Sequence, residues 1–282
     1  MKKPRISIHW FRRDLRLQDN HGFFRALTEH GDVLPLFIFD SNILDKLGTT
    51  HDRRVDFIHR TLHGLQGQLV TAGSSLRVEH GDPIAVWKRL LDTYDISAVT
   101  TNHDHEQYAN ERDSQVAALL TAKGIPFRSF KDISIFERGE ILKDDGKPYT
   151  VYTPYSRKWH AHFKPEMEEP FPSEAHLHRL WKTAPLPLPS LASFGFERTD
   201  LEVPSLHVPD KLLKHYGETR NLPAVEGTSK MSTHLRFGTV SVRELVRRGR
   251  KLNATYLNEL IWREFFMQIL WHFPHPERGF KP

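Results

Sequence analysis

One segment near the C-terminal end carries residue types that could hold and react with a flat ring. Glu259, Trp262, Arg263 and Phe266 are spaced at i, i+3, i+4 and i+7, so they would share one face of a helix predicted over 255–272. A carboxylate, an indole, a guanidinium and a phenyl ring can stack on a planar ligand and hydrogen-bond its edge. The alternative is an intrahelical Glu259–Arg263 pair beside two core aromatics, and the spacing alone does not decide between them.

A second candidate lies in the segment 226–232, Glu-Gly-Thr-Ser-Lys-Met-Ser. Thr228 and Ser229 precede a helix predicted over 229–237, and Lys230 adds a positive charge. Backbone N–H groups at a helix start, hydroxyls and a lysine together suit a phosphate or pyrophosphate. The alternative is an ordinary hydroxyl N-cap followed by a lysine in solvent.

Several classes of site are excluded or disfavoured by residues the chain lacks. It contains no cysteine, which excludes disulfides and metal–thiolate sites. Neither a Gly-x-Gly-x-x-Gly motif nor a P-loop follows the first predicted strand. The pairs His59/His63 and His103/His105 lack a third ligand, so no metal is expected. No run reaches the ~18 apolar residues of a membrane span, and we expect a cytoplasmic protein.

The elements that would position these residues divide the 282-residue chain into two patterns. In the first, predicted strands (5–11, 33–39, 75–78, 98–101, 126–129) alternate with predicted helices (22–29, 53–72, 83–94, 105–123). Such alternation predicts an α/β fold, a Rossmann-like parallel sheet with helices on both faces. Sheets of this kind bind ligands at the carboxyl ends of their strands.

The second pattern begins after a proline-rich stretch. Eight of the 18 prolines fall within 164–209, where neither helix nor central strand is expected. Helices are predicted beyond it at 211–217, 229–237, 241–248 and 255–272, the last ended by Pro274 and Pro276. We therefore predict an α/β domain over 1–131, a long connector over 132–209 and an all-α domain from 210 to 282.

Positive charge is concentrated in this helical part. The net charge is +5, but residues 228–282 contain ten Lys or Arg against four acids, a local charge of +6. Everything before residue 228 therefore sums to −1. Electrostatic attraction to nucleic acid is expected to reside in the C-terminal part.

Three motifs carry a resemblance to one family. They are WFRRDLRLQDN at 10–20, EGTSKMSTHLRFGTVS at 226–241 and NELIWREFF at 258–266. Together, and in this order, they resemble the DNA photolyase/cryptochrome family and most closely its bacterial members that repair cyclobutane pyrimidine dimers. The resemblance implies an α/β antenna domain, a connector and a helical domain that holds FAD, with damaged DNA as the partner.

The resemblance also implies roles for individual residues. The matches to positions that contact FAD are Tyr216, Thr228, Ser229, Lys230, Met231, Ser232, Tyr256 and Arg263. The matches to the substrate side are Arg220, Glu259, Trp262, Arg263 and Phe266, of which Glu259 and Trp262 are the expected catalytic pair. Asn110 and Glu111 match a folate antenna site of some members, and the antenna chromophore could be methenyltetrahydrofolate or a deazaflavin.

The implied activity is light-driven repair of the dimer by electron transfer from reduced FAD, by a monomer. In the family the helical domain continues beyond the segment that matches here, so we expect a truncated FAD domain that holds FAD weakly or not at all by itself. The alternatives are a cryptochrome, a blue-light receptor without repair, and an antenna-domain protein that is not an enzyme.

Overall fold

A five-stranded sheet forms the first part of the molecule in the computed structural model, which describes residues 3–273. The strands are β1 (Arg5–Phe11), β2 (Val33–Asp40), β3 (Arg77–Gly81), β4 (Asp95–Asn102) and β5 (Phe127–Phe130). All neighbouring pairs are parallel, in the order β3-β2-β1-β4-β5. The predicted α/β class is confirmed. Because β1 lies between β2 and β4, the strand order reverses between β1 and β4, where ligands are expected.

Helices cover both faces of this sheet. They are α1 (His21–Glu29), α2 (Ser41–Leu44), α3 (Arg53–Thr71), α4 (Pro83–Thr93) and α5 (Gln107–Thr121). Residues of β1 and β2 that point to opposite faces join different apolar clusters, one containing Phe11 and Phe39 and the other Ile8 and Leu36. The Asp52 side chain accepts from the N–H groups of Arg54 and Val55 and so caps α3. The alternation of strands and helices along the chain thus matches a parallel sheet that helices cover on both faces.

The second part is helical. It contains α6 (Tyr152–His162), α7 (Asp210–Lys214), α8 (Tyr216–Thr219), α9 (Ser232–Phe237), α10 (Val242–Leu252) and α11 (Ala254–His272). Short 3-10 turns lie between α6 and α7. Pro274 and Pro276, predicted to end the last helix, lie outside the described residues. A single apolar cluster joins α6, α10 and α11.

Helix α6 was not predicted and lies within the range assigned to the connector. Its buried Tyr155 and Trp159 pack in the same cluster as Leu260 and Phe265 of α11. The Trp159 Nε1 donates a hydrogen bond of 2.7 Å to Glu264, whose buried carboxylate also accepts from the backbone N–H groups of Ile135 and Phe136. Residues near 135 and 152–162 therefore pack with the helices, whereas Leu180, Leu191 and Phe194 pack on the α/β part. The domain boundaries themselves remain a prediction.

A buried ionic network joins the two parts. Arg243 of α10 donates to Asp19 (2.9 Å from Nε) and to Asp132 (2.8 Å from Nη2), and Arg16 donates to the other oxygen of Asp132 (2.8 Å). Asp132 has no exposed surface and Arg243 has 3%. Burial alone would raise the pKa of Asp132, but the two guanidinium groups lower it well below its ordinary value. The pairing of these charges fixes α10 against the sheet.

Candidate functional site

A cleft of about 460 Å³ opens between α9 and α11, and we call it the α9–α11 cleft. The loop after β1, α8, the loop before α9, α9 itself and α11 all contribute to its lining. The lining residues are Arg13, Tyr216, Ser229, Met231, Ser232, Leu235, Arg236, Tyr256, Glu259, Leu260, Arg263, Phe266, Met267 and Leu270. Its volume is in the range usual for ligand sites, about 300–1,000 Å³. The cleft is the place where most of the predicted site residues meet.

Six of the eight residues matched to FAD contacts line this cleft: Tyr216, Ser229, Met231, Ser232, Tyr256 and Arg263. Thr228 and Lys230 do not line it. Thr228 is exposed, and the Lys230 ammonium pairs with Glu226 in the same loop. The segment 226–232 therefore presents its two serines, not its lysine, to the cleft.

The loop before α9 is held by a close backbone approach. A Cβ on Gly227 would lie 2.5 Å from the Thr219 carbonyl oxygen, so only glycine fits there. Lys230 has a φ of 53°, and α9 begins at Ser232 with no side-chain cap. The helix predicted over 229–237 is thus too long by three residues, and the interpretation of Thr228 or Ser229 as an N-cap is wrong.

Glu259 and Arg263 lie on α11 as predicted, but they do not form an intrahelical pair. The Glu259 carboxylate pairs with Arg220, which directly follows α8. Arg263 instead donates to two backbone carbonyls, those of Ile133 (2.7 Å) and Leu235 (3.2 Å). Burial lowers the pKa of Arg263 to about 10, so its guanidinium stays charged at neutral pH. Helix α11 therefore presents to the cleft one ion pair and one cation, Arg263, which backbone carbonyls hold in place.

Trp262 lies beside the cleft and does not line it. Its ring stacks on Tyr152 of α6, with centroids 3.6 Å apart and planes 7° from parallel. Phe266, 56% exposed, lines the cleft and lies 5.6 Å from the Trp262 ring. Tyr152, Trp262 and Phe266 thus form a row of aromatic rings that leads to the mouth of the cleft.

The residue types that line the cleft fit one side of an FAD molecule. Ser229 and Ser232 supply hydroxyls, and Arg236 and Arg263 supply cations, all suited to phosphates. The other lining residues are largely apolar, which suits a ring system. Tyr256 carries a buried hydroxyl beside Ser229, and burial raises its pKa to about 12.

Sequence reasoning missed two arginines of this cleft. Arg13 follows β1 and donates to Asp104 (3.1 Å), to Glu106 (3.0 Å) and to the carbonyl of Arg236 (3.1 Å). Arg236 pairs in turn with Glu106 at 2.8 Å. Both arginines lie within the motifs at 10–20 and 226–241, and membership of these motifs could have marked them as candidates. Their contact could not be predicted, because only the folded structure brings residues 13 and 236 together.

A second cavity, of about 200 Å³, lies at the carboxyl ends of β1 and β2, and we call it the strand-end cavity. Its wall includes Trp10, Asp40, Tyr108 and Arg112, with the Arg112 guanidinium 4.8 Å from the Trp10 ring. The Tyr108 hydroxyl donates to Asp40 at 2.7 Å, and burial together with this carboxylate raises the pKa of Tyr108 to about 12. The cavity lies at the carboxyl ends of strands, as expected for such a sheet, and residues from the segment after β4, including Tyr108, complete its wall.

The two residues matched to an antenna site, Asn110 and Glu111, lie on α5 between Ala109 and Arg112, which line the cavity, but do not line it themselves. The Asn110 amide donates to the Glu106 carbonyl, and Glu111 accepts from Gln107. Both contacts are local to the helix. Their assignment as antenna ligands stays a prediction.

Among residues 3–273, no group of three or more His, Asp or Glu side chains could hold a metal ion. His59 and His63 have ring centroids 4.6 Å apart, but His59 hydrogen-bonds the Pro189 carbonyl. No helix in the same range is long and apolar enough to cross a membrane.

Comparison with known proteins decides the family. Residues 7–174 match the family model described as DNA photolyase. The chain belongs to the DNA photolyase family. The resemblance read from the three motifs is therefore confirmed at the level of the family.

Individual photolyases resemble the chain over nearly its whole length. It is 32% identical to the deoxyribodipyrimidine photo-lyase of Halobacterium salinarum, over 94% of this chain and 61% of that protein. The structure of a class III photolyase from Agrobacterium tumefaciens superposes with a TM-score of 0.80 at 25% identity, covering 97% of this chain and 60% of that one. An archaeal photolyase from Sulfolobus tokodaii, whose structure contains two FAD molecules and implies a novel light-harvesting cofactor, gives 0.72 at 25% identity, covering 95% of this chain and 60% of that one. The chain thus spans about 60% of the length of the photolyases it matches.

Proposed function

We propose that this chain forms the antenna domain and one wall of the FAD cleft of a photolyase that repairs cyclobutane pyrimidine dimers in DNA. One observation carries the proposal. Six residues matched to FAD contacts, together with Glu259 and Phe266 from the substrate side, line one cleft between α9 and α11. These residues come from positions 216 to 266, and only the fold brings them together.

The residues of the cleft then have separate tasks. Ser229, Ser232 and Arg236 would hold the phosphates of FAD, and Met231 and Leu260 would cover its rings. Reduced FAD, when bound and excited by light, supplies the electron that splits the dimer. Arg220 fixes the Glu259 carboxylate at the cleft, where it can accept a hydrogen bond from the edge of a flipped base.

FAD is expected to bind this chain weakly, with a dissociation constant of about 10–100 µM, because the described residues cover it on one side only. Fluorescence titration of the full chain with FAD measures this. Met267→Trp, which fills the cleft, should weaken binding at least about 10-fold, or 1.4 kcal/mol.

A matched control is Leu222→Trp, since Leu222 is 51% exposed and lies outside the cleft lining. Its affinity for FAD should equal that of the unmodified chain. Absence of saturable binding, or equal effects of the two substitutions, would contradict the location of the site. Purification of the chain with stoichiometric FAD would contradict the weak affinity.

The substrate side is proposed to lie at the mouth of the same cleft. The +6 charge of residues 228–282 supplies attraction to the phosphate backbone. The half-buried Trp262 belongs to the aromatic row at the mouth, where a flipped dimer could stack on its exposed part. We assign Trp262 and Glu259 as the residues that contact the dimer.

Trp262→Ala is expected to weaken binding of dimer-containing oligonucleotide by roughly 1–3 kcal/mol, the usual worth of a base–aromatic stack. Affinity for undamaged oligonucleotide should be unchanged, since backbone charge is retained. Trp271→Ala is the control, because Trp271 lies on the same helix but packs under Arg138 at 3.5 Å. Equal losses for the two variants, or no loss for Trp262→Ala, would remove Trp262 from the substrate side.

The strand-end cavity is proposed as the antenna site. It is bounded by aromatic and aliphatic side chains, including Trp10, Phe39 and Ile58, which suit a planar chromophore. The folate or deazaflavin expected from the resemblance, or a second flavin as in the Sulfolobus tokodaii structure, are all planar rings. Asn110 and Glu111 would then lie on α5 between the lining residues Ala109 and Arg112, without lining the cavity themselves.

A further inference from the structure

Tyr152 lies outside all three sequence motifs, yet it contacts α11 beside both residues assigned to the dimer. It is the first residue of α6. Its ring stacks on Trp262, and its hydroxyl donates a hydrogen bond of 3.1 Å to the carbonyl of Asn258, the residue before Glu259. One side chain of α6 thus touches the part of α11 that is proposed to face the substrate.

The contacts of Trp262 restrict the plane of its indole. The Tyr152 ring lies 3.6 Å away and 7° from parallel. The Phe265 ring, 5% exposed, lies 5.7 Å away at 80°, and it also meets Tyr152 at 75°. Because the two neighbours contact the indole at nearly perpendicular angles, rotation about its side-chain torsions is restricted.

An indole held in this way is prepared for stacking. Ordering a mobile side chain opposes binding, whereas a side chain already ordered in the free protein has lost that entropy during folding. A parallel ring at 3.6 Å also covers one face of the indole, so a flipped base can stack only on the part that Tyr152 leaves exposed. Tyr152 therefore sets both the plane and the side of the stack.

Tyr152 is not the residue that anchors α6. Tyr155 and Trp159, each 1% exposed, fix the helix in the apolar cluster shared with α11. Tyr152 is only partly buried and packs against that cluster. Burial, together with the nearby Glu259 carboxylate, raises the pKa of Tyr152, so its hydroxyl remains a donor at neutral pH.

We infer that Tyr152 is a positioning residue for substrate recognition, whose ring holds the Trp262 indole in the orientation that stacks on a flipped pyrimidine dimer. Tyr152 acts through Trp262 and does not contact the dimer itself. This inference rests on the substrate side proposed above. It adds that the preference for damaged over undamaged DNA depends on a residue of α6.

The test compares two oligonucleotides, one with a thymine dimer and one undamaged, by fluorescence anisotropy with the full chain. Tyr152→Leu keeps an apolar side chain but removes the ring. It should weaken binding of the dimer-containing oligonucleotide about 3- to 10-fold, the usual worth of an aromatic pair, and leave the undamaged one unchanged. Tyr152→Phe restores the ring and should recover the affinity that Tyr152→Leu loses.

Two further variants separate positioning from a merely structural role. Tyr149→Leu removes another ring that packs on the same cluster, one that meets Tyr155 with centroids 6.3 Å apart. It should lower stability in urea without changing the ratio of the two affinities. In a chain that already carries Trp262→Ala, Tyr152→Leu should cause no further loss, because the two residues act as a unit.

The outcomes distinguish this inference from the proposal on which it rests. The positioning role is overturned by an unchanged ratio in Tyr152→Leu, by an equal loss in Tyr152→Phe or Tyr149→Leu, or by a further loss in the Trp262→Ala chain. A loss in Trp262→Ala would then leave the substrate side in place. Equal affinity of the unmodified chain for the two oligonucleotides overturns both.

Discussion

Gly238→Ala is expected to destabilise the folded chain by roughly 2–5 kcal/mol and to displace α9 from the site. Gly238 ends α9 in the left-handed conformation, with a φ of 64°. A Cβ there would lie 2.1 Å from the Arg13 carbonyl oxygen and 2.5 Å from the Asp14 Cα. Both are backbone atoms and cannot rotate away, so either the loop after β1 or α9 must move.

Urea unfolding followed by circular dichroism measures the loss. Gly48→Ala is a matched control, because Gly48 has a φ of 65° and nothing within 4 Å of the added carbon. It should cost only the conformational strain, about 1–2 kcal/mol. If the two variants lost equal stability, the close approach at Gly238 would not be what holds α9 in place.

Arg243→Ala is expected to cost about 3–5 kcal/mol, because it removes a buried cation from Asp19 and Asp132 and leaves Asp132 with Arg16 alone. Arg243 is the group of α10 that contacts both Asp19 and Asp132 across the interface. Urea unfolding at neutral pH measures the loss. The control is Lys251→Ala, an exposed position at the end of the same helix, which should change stability by less than about 0.5 kcal/mol.

The loss at Arg243 should also depend on pH in one direction. The folded-state pKa of Asp132 is depressed, so its contribution is present above the unfolded pKa of about 3.9 and is lost as pH falls toward the folded value. The difference in the free energy of unfolding between the unmodified chain and Arg243→Ala should therefore stay constant from about pH 5 to 8 and become smaller below about pH 4. A difference that is unchanged at low pH would mean that Asp132 does not carry the interaction.

The α/β part could be predicted from sequence because its three central strands, β1, β2 and β4, are largely buried and four of its five helices begin with a side-chain cap. All five predicted strands overlap observed ones. Helix α6 was missed because its polar residues, such as Lys158 and His160, hide the two buried rings, Tyr155 and Trp159. Its stability comes from tertiary packing on α11, which local propensity does not record.

The parts of the site that depend on the spacing of residues within one helix could be predicted from the sequence. The i, i+3, i+4, i+7 spacing placed Glu259, Arg263 and Phe266 on one face, and all three line the α9–α11 cleft. The partner of Glu259 could not be predicted, because Arg220 lies 39 residues away and only the fold brings it near. Trp262 shares the spacing but turns to Tyr152 on the unpredicted helix α6.

The most direct test of the proposed function is light-dependent repair. The full chain is supplied with reduced FAD well above its dissociation constant and illuminated with an oligonucleotide that contains one thymine dimer, and loss of the dimer is followed by chromatography. We predict repair above the dark and protein-free controls, with strong reduction in Glu259→Ala. Saturable FAD binding without any light-dependent loss of the dimer would contradict the repair function and favour a light receptor.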